Sequence, residues 1–356
     1  MEERLAAIRQ WMASNEWDAL LVTAPANVRY ASGFRGEPGT LWIDTQHARL
    51  MTSFRSERWA REQTSTFEVV CADDPIDSIT SLQHAPGLRI GVDRMIPYTT
   101  LSSLRSKWTA HSIEPVSGIE TLRQVKSEAE VDRLRHSQTV NERIFDQVIP
   151  KIRPGISERA AQGLILAAMA ADEEIDGPSF TPIVAAGGNA WEIHHQPDDT
   201  ILAKGDMVII DLGVRVAGYA SDMTRTVCLG QASERMRNIH ATVREAQLAA
   251  FETIRHGVSA READAAARKV IDDAGHGRTF THGLGHGIGL ETHDAHLRMS
   301  PSAEDVTLQS GMAVTVEPGI YLEDEFGVRT EDIVIVRPDG IENLTTTTHE
   351  LIEIPV

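Results

Sequence analysis

The nine residues GDMVIIDLG (205–213) run an apolar strand into a single acid. Met207, Val208, Ile209 and Ile210 are residues of a buried strand, glycines bound the run, and Asp211 sits near its end. An acid is out of place there, because strands disfavour Asp and an ionised carboxylate is costly to bury without a partner. The pattern returns once. GMAVTVEPG (311–319) puts Glu317 where Asp211 stands, 106 positions on, and IRPGIS (152–157) returns as IRHGVS (254–259), 102 positions on. One short match is chance; two at nearly equal offsets read as a duplicated α+β unit, with related strands facing each other across a pseudo-twofold.

Each strand is followed by a return strand carrying a second acid. Asp222 opens one in YASDMTRTV (219–227), with Gly218 at the turn before it, and Glu331 lies in VRTEDIVIV (328–336). Taken singly, any of the four reads equally well as a paired surface acid. Taken together, in equivalent places of two facing strand pairs, they converge, and like charges at close range do not all stay ionised without a cation. Four carboxylates with one imidazole suit two divalent cations of the manganese or cobalt kind better than a thiolate-rich zinc site.

The imidazole has an obvious source. THGLGHGIGLETHDAH (281–296) holds four histidines and four glycines in sixteen residues. His282 and His286 are four apart, as on one face of a helix, but Gly283, Gly285, Gly287 and Gly289 make a helix there unstable. Extended, the run turns His282, Leu284, His286, Ile288 and Leu290 one way with glycines behind them, where backbone can approach closely. One histidine is then offered to the acids; a chelating helical pair is not, and no HExxH occurs in the chain.

At 356 residues the chain is too long for one small core. A formal charge of -18 with a pI near 5.2 argues against a nucleic-acid or anionic-membrane partner, since like charges repel. Cys71 and Cys228 have no CxxC spacing and read as buried free thiols of a reducing compartment. The opening residues lack the pattern of a signal peptide and no apolar run approaches the length of a membrane span, so a cytoplasmic protein is expected. In the first third, DALLVT (18–23), TLWID (40–44), ARLMTS (48–53), FEVVCA (67–72) and LRIGVD (88–93) read as strands. EERLAAIRQWMA (2–13) and ITSLQ (79–83) read as helices, together an α/β domain.

The pattern changes to long helices near 121–126, dividing the chain into domains 1–123 and 124–356. Ser127 with Glu130 makes a capping box. A helix after Ser157 places Ala160, Leu164 and Ala168 on one face. Another after Ser233 carries Met236, Ile239, Val243, Ala246 and Ala250, and Ser259 with Glu262 opens a fourth that Gly275 can end.

At these residues the sequence resembles the pita-bread metallopeptidases: methionine aminopeptidase, prolidase, aminopeptidase P and the metal-free creatinases. The resemblance runs nearly end to end and rests on IVAAGGNAWEIHH (183–195), GDMVIIDLG (205–213), GYASDMTRTV (218–227), GLGHGIGLETHD (283–294), VEPGIY (316–321) and GVRTEDIVIV (327–336). It implies an α+β pita-bread catalytic domain with a pseudo-twofold repeat, preceded by a smaller creatinase-like α/β domain. It maps the family's five metal ligands onto Asp211, Asp222, His286, Glu317 and Glu331, with Asp222 and Glu331 bridging two divalent ions, manganese first and cobalt or zinc as alternatives. All five positions hold metal-binding residues, which disfavours the metal-free branch. His293 falls where the family keeps a histidine on the scissile carbonyl, and His194 where another lines the substrate site. His195, His282 and His296 have weaker claims, with a structural role favoured for His195 and His282.

DALLVTAPANVRYASGF (18–34) resembles the N-terminal domain of prolidases and aminopeptidases P, which bacterial methionine aminopeptidases lack. The implied substrate is therefore a small peptide with proline second, and the implied catalytic groups are His293, Glu317 and His194. Arg329 is expected to touch substrate or support the site's acids. Phe180 and Trp191 are candidates for an apolar pocket wall, with core packing an equal alternative; Arg298 is read as a surface residue rather than a partner for a substrate carboxylate. A homodimer is expected. The chain departs from the family's usual residues at Ser53-Phe54-Arg55-Ser56, at Ile193 before the substrate histidine and at Asp294 after the catalytic one, which leaves the preferred Xaa open. The alternatives are a metal-dependent hydrolase of a small non-peptide amide and a non-catalytic binding scaffold.

Overall fold

The computed structural model describes residues 1–80 and 86–356 and divides into two compact units, Met1–Arg123 and Gln124–Val356. In the first, six strands form one mixed sheet. Its order is Glu68–Cys71, Ala48–Thr52, Thr40–Asp44, Ala19–Val22, Arg89–Asp93 and Ser112–Val116. The antiparallel run Ala19–Val22, Thr40–Asp44, Ala48–Thr52 is extended at both ends by parallel strands. Leu21, Trp42, Ile90 and Leu104 are fully buried in its core, with Trp42 and Trp108 edge-to-face at 5.6 Å. Of ITSLQ, Ile79 and Thr80 end the helix Pro75–Thr80, and residues 81–83 lie outside the described residues. One expectation fails: Cys71 is exposed, because it ends an edge strand, whereas Cys228 is buried.

The second unit repeats itself in its hydrogen bonds. Two helix pairs, Glu128–Val148 with Glu158–Ala171 and Glu234–Thr253 with Ala260–Asp273, turn at the two IRxG[IV]S corners. Gly155 and Gly257 both have left-handed φ, +95° and +88°, which favours glycine. Gly155 N donates to Leu202 O at 2.9 Å and Gly257 N to Leu308 O at 2.8 Å; the return bonds run from Leu202 N to Ile156 O and from Leu308 N to Val258 O. Two apolar clusters fill the unit, one around Ile144, Ile165 and Val208, the other around Val243, Ile271 and Val314 and reaching across to Met207 and Cys228.

The strands follow the same division. Met207–Leu212 pairs antiparallel with Met223–Leu229, and Ala313–Val316 with Asp332–Arg337. Ala217 and Gly218, both at positive φ, make the tight turn between Val214–Val216 and Tyr219–Ala220. Ser127 and Glu130 close the capping box, and Ser157, Ser233 and Ser259 cap their helices. The helix after Ser157 buries Ala161, Ile165 and Met169 and leaves Ala160 exposed, one residue out of register with the expected face. Its sequence, ERAAQGLILAAMAA, is apolar on so many sides that four-residue spacing fits more than one stripe, and packing selects among them.

Candidate active site

The acids sit where strands end or turn. Asp211 lies in Met207–Leu212 with Thr224 as its ladder partner, Asp222 precedes Met223–Leu229, Glu317 follows Ala313–Val316, and Glu331 precedes Asp332–Arg337. The glycine-rich run meets them as a strand. Gly285–His286 pairs antiparallel with Arg298–Met299, and Glu317 N donates to Leu284 O at 2.8 Å. A Cβ on Gly285 would stand 2.0 Å from Thr315 O, and one on Gly287 2.7 Å from Asp294 O, so only glycine lets this strand lie so close to its neighbours.

All four acids and His286 line one cavity of about 820 Å³, together with His194, His293, His282 and Arg329. His286 Nε2 lies 3.4 Å from Glu317 Oε1 and 3.7 Å from Asp222 Oδ2, and ligand atoms of Asp222, His286 and Glu331 all lie within 4.8 Å of one another. Burial, then the charges of neighbouring acids, push Asp222 and Glu331 well above the carboxylate range; burial lifts Asp211 and raises Glu317 to about 7. Arg329 bonds to one of these carboxylates: Nη2 donates to Asp211 Oδ2 at 2.7 Å, Nε to Thr224 Oγ1 and Nη1 to Tyr321 OH.

Two atoms test whether divalent ions suit this set. Burial, then His293, pulls His286 down to about 3, so its ring is neutral. Its Nδ1 lies 3.1 Å from Gly287 O and must donate there, which leaves the Nε2 lone pair aimed at two carboxylates. With the carboxylates ionised, lone pair faces lone pair, and a divalent cation between them reverses the sign. Asp211 Oδ1 is likewise buried with no hydrogen-bond partner. Oxygen-rich with one imidazole, the donor set fits hard or borderline divalent metals.

The other predicted residues are placed as follows. His293 and His194 both line the cavity, and the rings of His293 and His286 stand edge-to-face at 4.1 Å. Burial, then Arg298 and His194, lowers the pKa of His293. His282 turns to Tyr321 OH at 2.9 Å and Gly283 O at 2.7 Å, and His296 is exposed away from the cavity. Phe180 and Ile193 form cavity wall, while Trp191 stands outside it, 37% exposed. Arg298 is exposed, as expected of a surface residue, and it also lines the cavity mouth, as does Arg215, which sequence reasoning did not single out. Asp294 is buried and paired with Lys126 at 3.0 Å, anchoring the residue next to His293.

Thr224 and Thr315 were also missed. Thr224 Oγ1 donates to Glu331 Oε2 at 2.7 Å; Thr315 Oγ1 donates to Glu317 Oε1 at 3.2 Å and accepts from His286 N at 3.0 Å. A signal existed. Thr224, Thr315 and Arg329 each stand two residues from an acid, on the same strand face as Asp222, Glu317 and Glu331 respectively.

The chain is similar to known proteins along nearly its whole length. Residues 132–338 match Metallopeptidase family M24 and residues 4–125 the Creatinase/Prolidase N-terminal domain. A Xaa-Pro dipeptidase of Pyrococcus horikoshii is 32% identical over 363 residues, covering 99% of each chain. The solved Xaa-Pro dipeptidase from Bacillus anthracis superposes with a TM-score of 0.92 at 32% identity, over 100% of this chain and 99% of that one. The X-Pro aminopeptidase from Thermotoga maritima does so with 0.87 at 30% identity, over 98% and 100%. With a creatinase-type domain ahead of a pita-bread domain, and acids from both halves of that domain around one cavity, the chain belongs to metallopeptidase family M24.

Proposed function

We propose that the chain is a manganese-dependent, dinuclear Xaa-Pro peptidase that hydrolyses the amide bond before proline. The observation that carries this reading is the placement of His286, whose Nδ1 is held at Gly287 O so that its Nε2 faces the carboxylates of Asp222 and Glu317. Similarity to Xaa-Pro dipeptidases supports the substrate class. Asp211, Asp222, His286, Glu317 and Glu331 would hold the metals. Bound there, two divalent cations supply the Lewis acidity that activates water and polarises the scissile carbonyl.

The chain's own side chains do the rest. His293, on the cavity wall with its ring against that of His286, donates an N–H to the substrate carbonyl as negative charge develops on its oxygen. His194 orients the peptide across the cavity. Glu317 takes a proton from the attacking water and passes it to the leaving prolyl nitrogen, which as a tertiary amide carries no hydrogen of its own. Arg329 fixes Asp211, and Phe180 with Ile193 offers the ring an apolar wall. Arg298 gives a cation for the carboxylate of a dipeptide. The same reading takes the enzyme to be a cytoplasmic homodimer.

The decisive experiment pairs metal analysis with two substrates, an Xaa-Pro dipeptide and a longer Xaa-Pro-initiated peptide. With manganese the dipeptide should be cleaved, and faster than the longer peptide; chelator should stop both. No cleavage of either by protein carrying two metals would shift the reading to a small non-peptide amide. His293→Ala should cost about 10²–10³ in turnover, as for loss of one donor to a developing oxyanion, with bound metal unchanged. Loss of metal from that variant would make His293 a ligand instead.

A further inference from the structure

His195 has no part in the chemistry above, yet it adjoins His194 and faces the other way. It is buried, 6% exposed, while His194 is open to the cavity. Its Nε2 lies 2.7 Å from Glu158 Oε2 and its Nδ1 3.1 Å from Glu192 Oε2. A neutral imidazole has one N–H and one lone pair, so it satisfies one carboxylate and repels the other. Only the doubly protonated ring donates to both.

Glu158 is not a passing surface acid. It is wholly buried at the first turn of Glu158–Ala171, where the helix dipole favours a carboxylate. It accepts hydrogen bonds from Ala186 N at 2.8 Å, Asn189 Nδ2 at 3.2 Å and Asp198 N at 3.3 Å. One carboxylate thus ties the strand Ile183–Ala186, the turn Gly187–Trp191 and the loop beyond it to the helix. His194 sits inside that loop.

We propose that His195, as an imidazolium bridging Glu158 and Glu192, is a positioning residue that holds the loop carrying His194 and so sets the aim of that ring into the cavity. The proposal rests on the reading of His194 as a substrate-contacting group. The charged groups facing the ring are Glu158, Glu192 and Asp198. Burial alone would discharge it, but Glu192 and Glu158 outweigh burial and hold its pKa above the usual histidine value. A raised pKa means that the clamp is complete below the ordinary histidine pKa and is lost as pH rises through the raised one. Loosening is therefore expected on the alkaline side.

The test has two arms. In a long-range ¹H–¹⁵N spectrum of the wild type at pH 7, the His195 ring, assigned by its absence from His195→Gln, should show both nitrogens protonated. In manganese-loaded enzyme, His195→Gln should lower kcat/KM for an Xaa-Pro dipeptide about tenfold, the lower range for losing a residue that orients a functional group, with bound metal unchanged. In a His194→Ala background the same change should cost nothing further, because no ring is left to aim. A neutral tautomer at pH 7, or a full tenfold loss in the His194→Ala background, overturns the proposal. If the wild type cleaves no Xaa-Pro peptide, the substrate reading falls, and the nitrogen spectrum alone decides whether the clamp exists.

Discussion

Asp222→Asn should lower turnover of an Xaa-Pro dipeptide by more than about 10³-fold, beyond the usual cost of one oxyanion-hole donor. Asp222 stands at the centre of the acid cluster, with its Oδ2 3.7 Å from His286 Nε2 and ligand atoms of His286 and Glu331 within 4.8 Å. The amide keeps the shape and removes the charge, so packing should survive and cation binding should not. Two measurements separate these effects: the thermal midpoint of the metal-free protein, expected near that of the wild type, and metal content after dialysis, expected to fall. Relief of like-charge repulsion should if anything stabilise the metal-free variant, because burial and neighbouring acids already disfavour ionised Asp222. Turnover within tenfold of the wild type would remove Asp222 from the ligand set.

Arg329→Met should produce the second large effect, and on stability first. The guanidinium is 2% exposed and donates to Asp211, Thr224 and Tyr321. Removing one partner of a buried ion pair strands the other, at a cost of about 3–5 kcal/mol. Asp211 would suffer more than most, since its Oδ1 already has no hydrogen-bond partner. Denaturant unfolding of the metal-free protein measures this directly. Metal affinity should fall by about 10–100-fold as well, the usual scale for losing a group that orients a ligand. Arg329→Lys, which keeps the charge but loses the planar fork, should fall between. Unchanged unfolding in the Met variant would mean that Arg329 faces substrate rather than supporting Asp211.

Much of this was legible in sequence because an acid inside an apolar strand contradicts its surroundings. Asp211 in VIIDLG and Glu317 in TVEPG break the local rule, and such breaks gather at functional sites. The glycines of GLGHGIG were legible for the same reason: they exclude a helix, and where side chains would stand the structure shows carbonyl oxygens at Gly283, Gly285 and Gly287 and the Asp294 carboxylate at Gly289. Thr224 and Thr315 carried no such contradiction, since threonine is at home in strands. Only their two-residue spacing from acids marks them.

Other features depended on tertiary context. The buried face of Glu158–Ala171 is chosen by packing against a largely apolar helix surface. Arg298 and Cys71 have ordinary flanking residues, and their exposure follows from the cavity wall and the sheet edge. The partners of His195 lie 3 and 37 positions away, and the farther one is visible only once the helix and the loop are folded together.

The duplicated corners at Gly155 and Gly257 imply a division of parts. Asp211 and Asp222 come from one half of the repeat, His286, Glu317 and Glu331 from the other. Neither half owns a complete coordination set. A cation gripped by both, as proposed, would act as a rivet across the seam, and binding to the folded state alone would raise stability with free-metal concentration. If the site holds cations as proposed, metal supply would add to the buried bonds that already join the two halves, such as Arg225 to Asp332, and would decide whether the site can react.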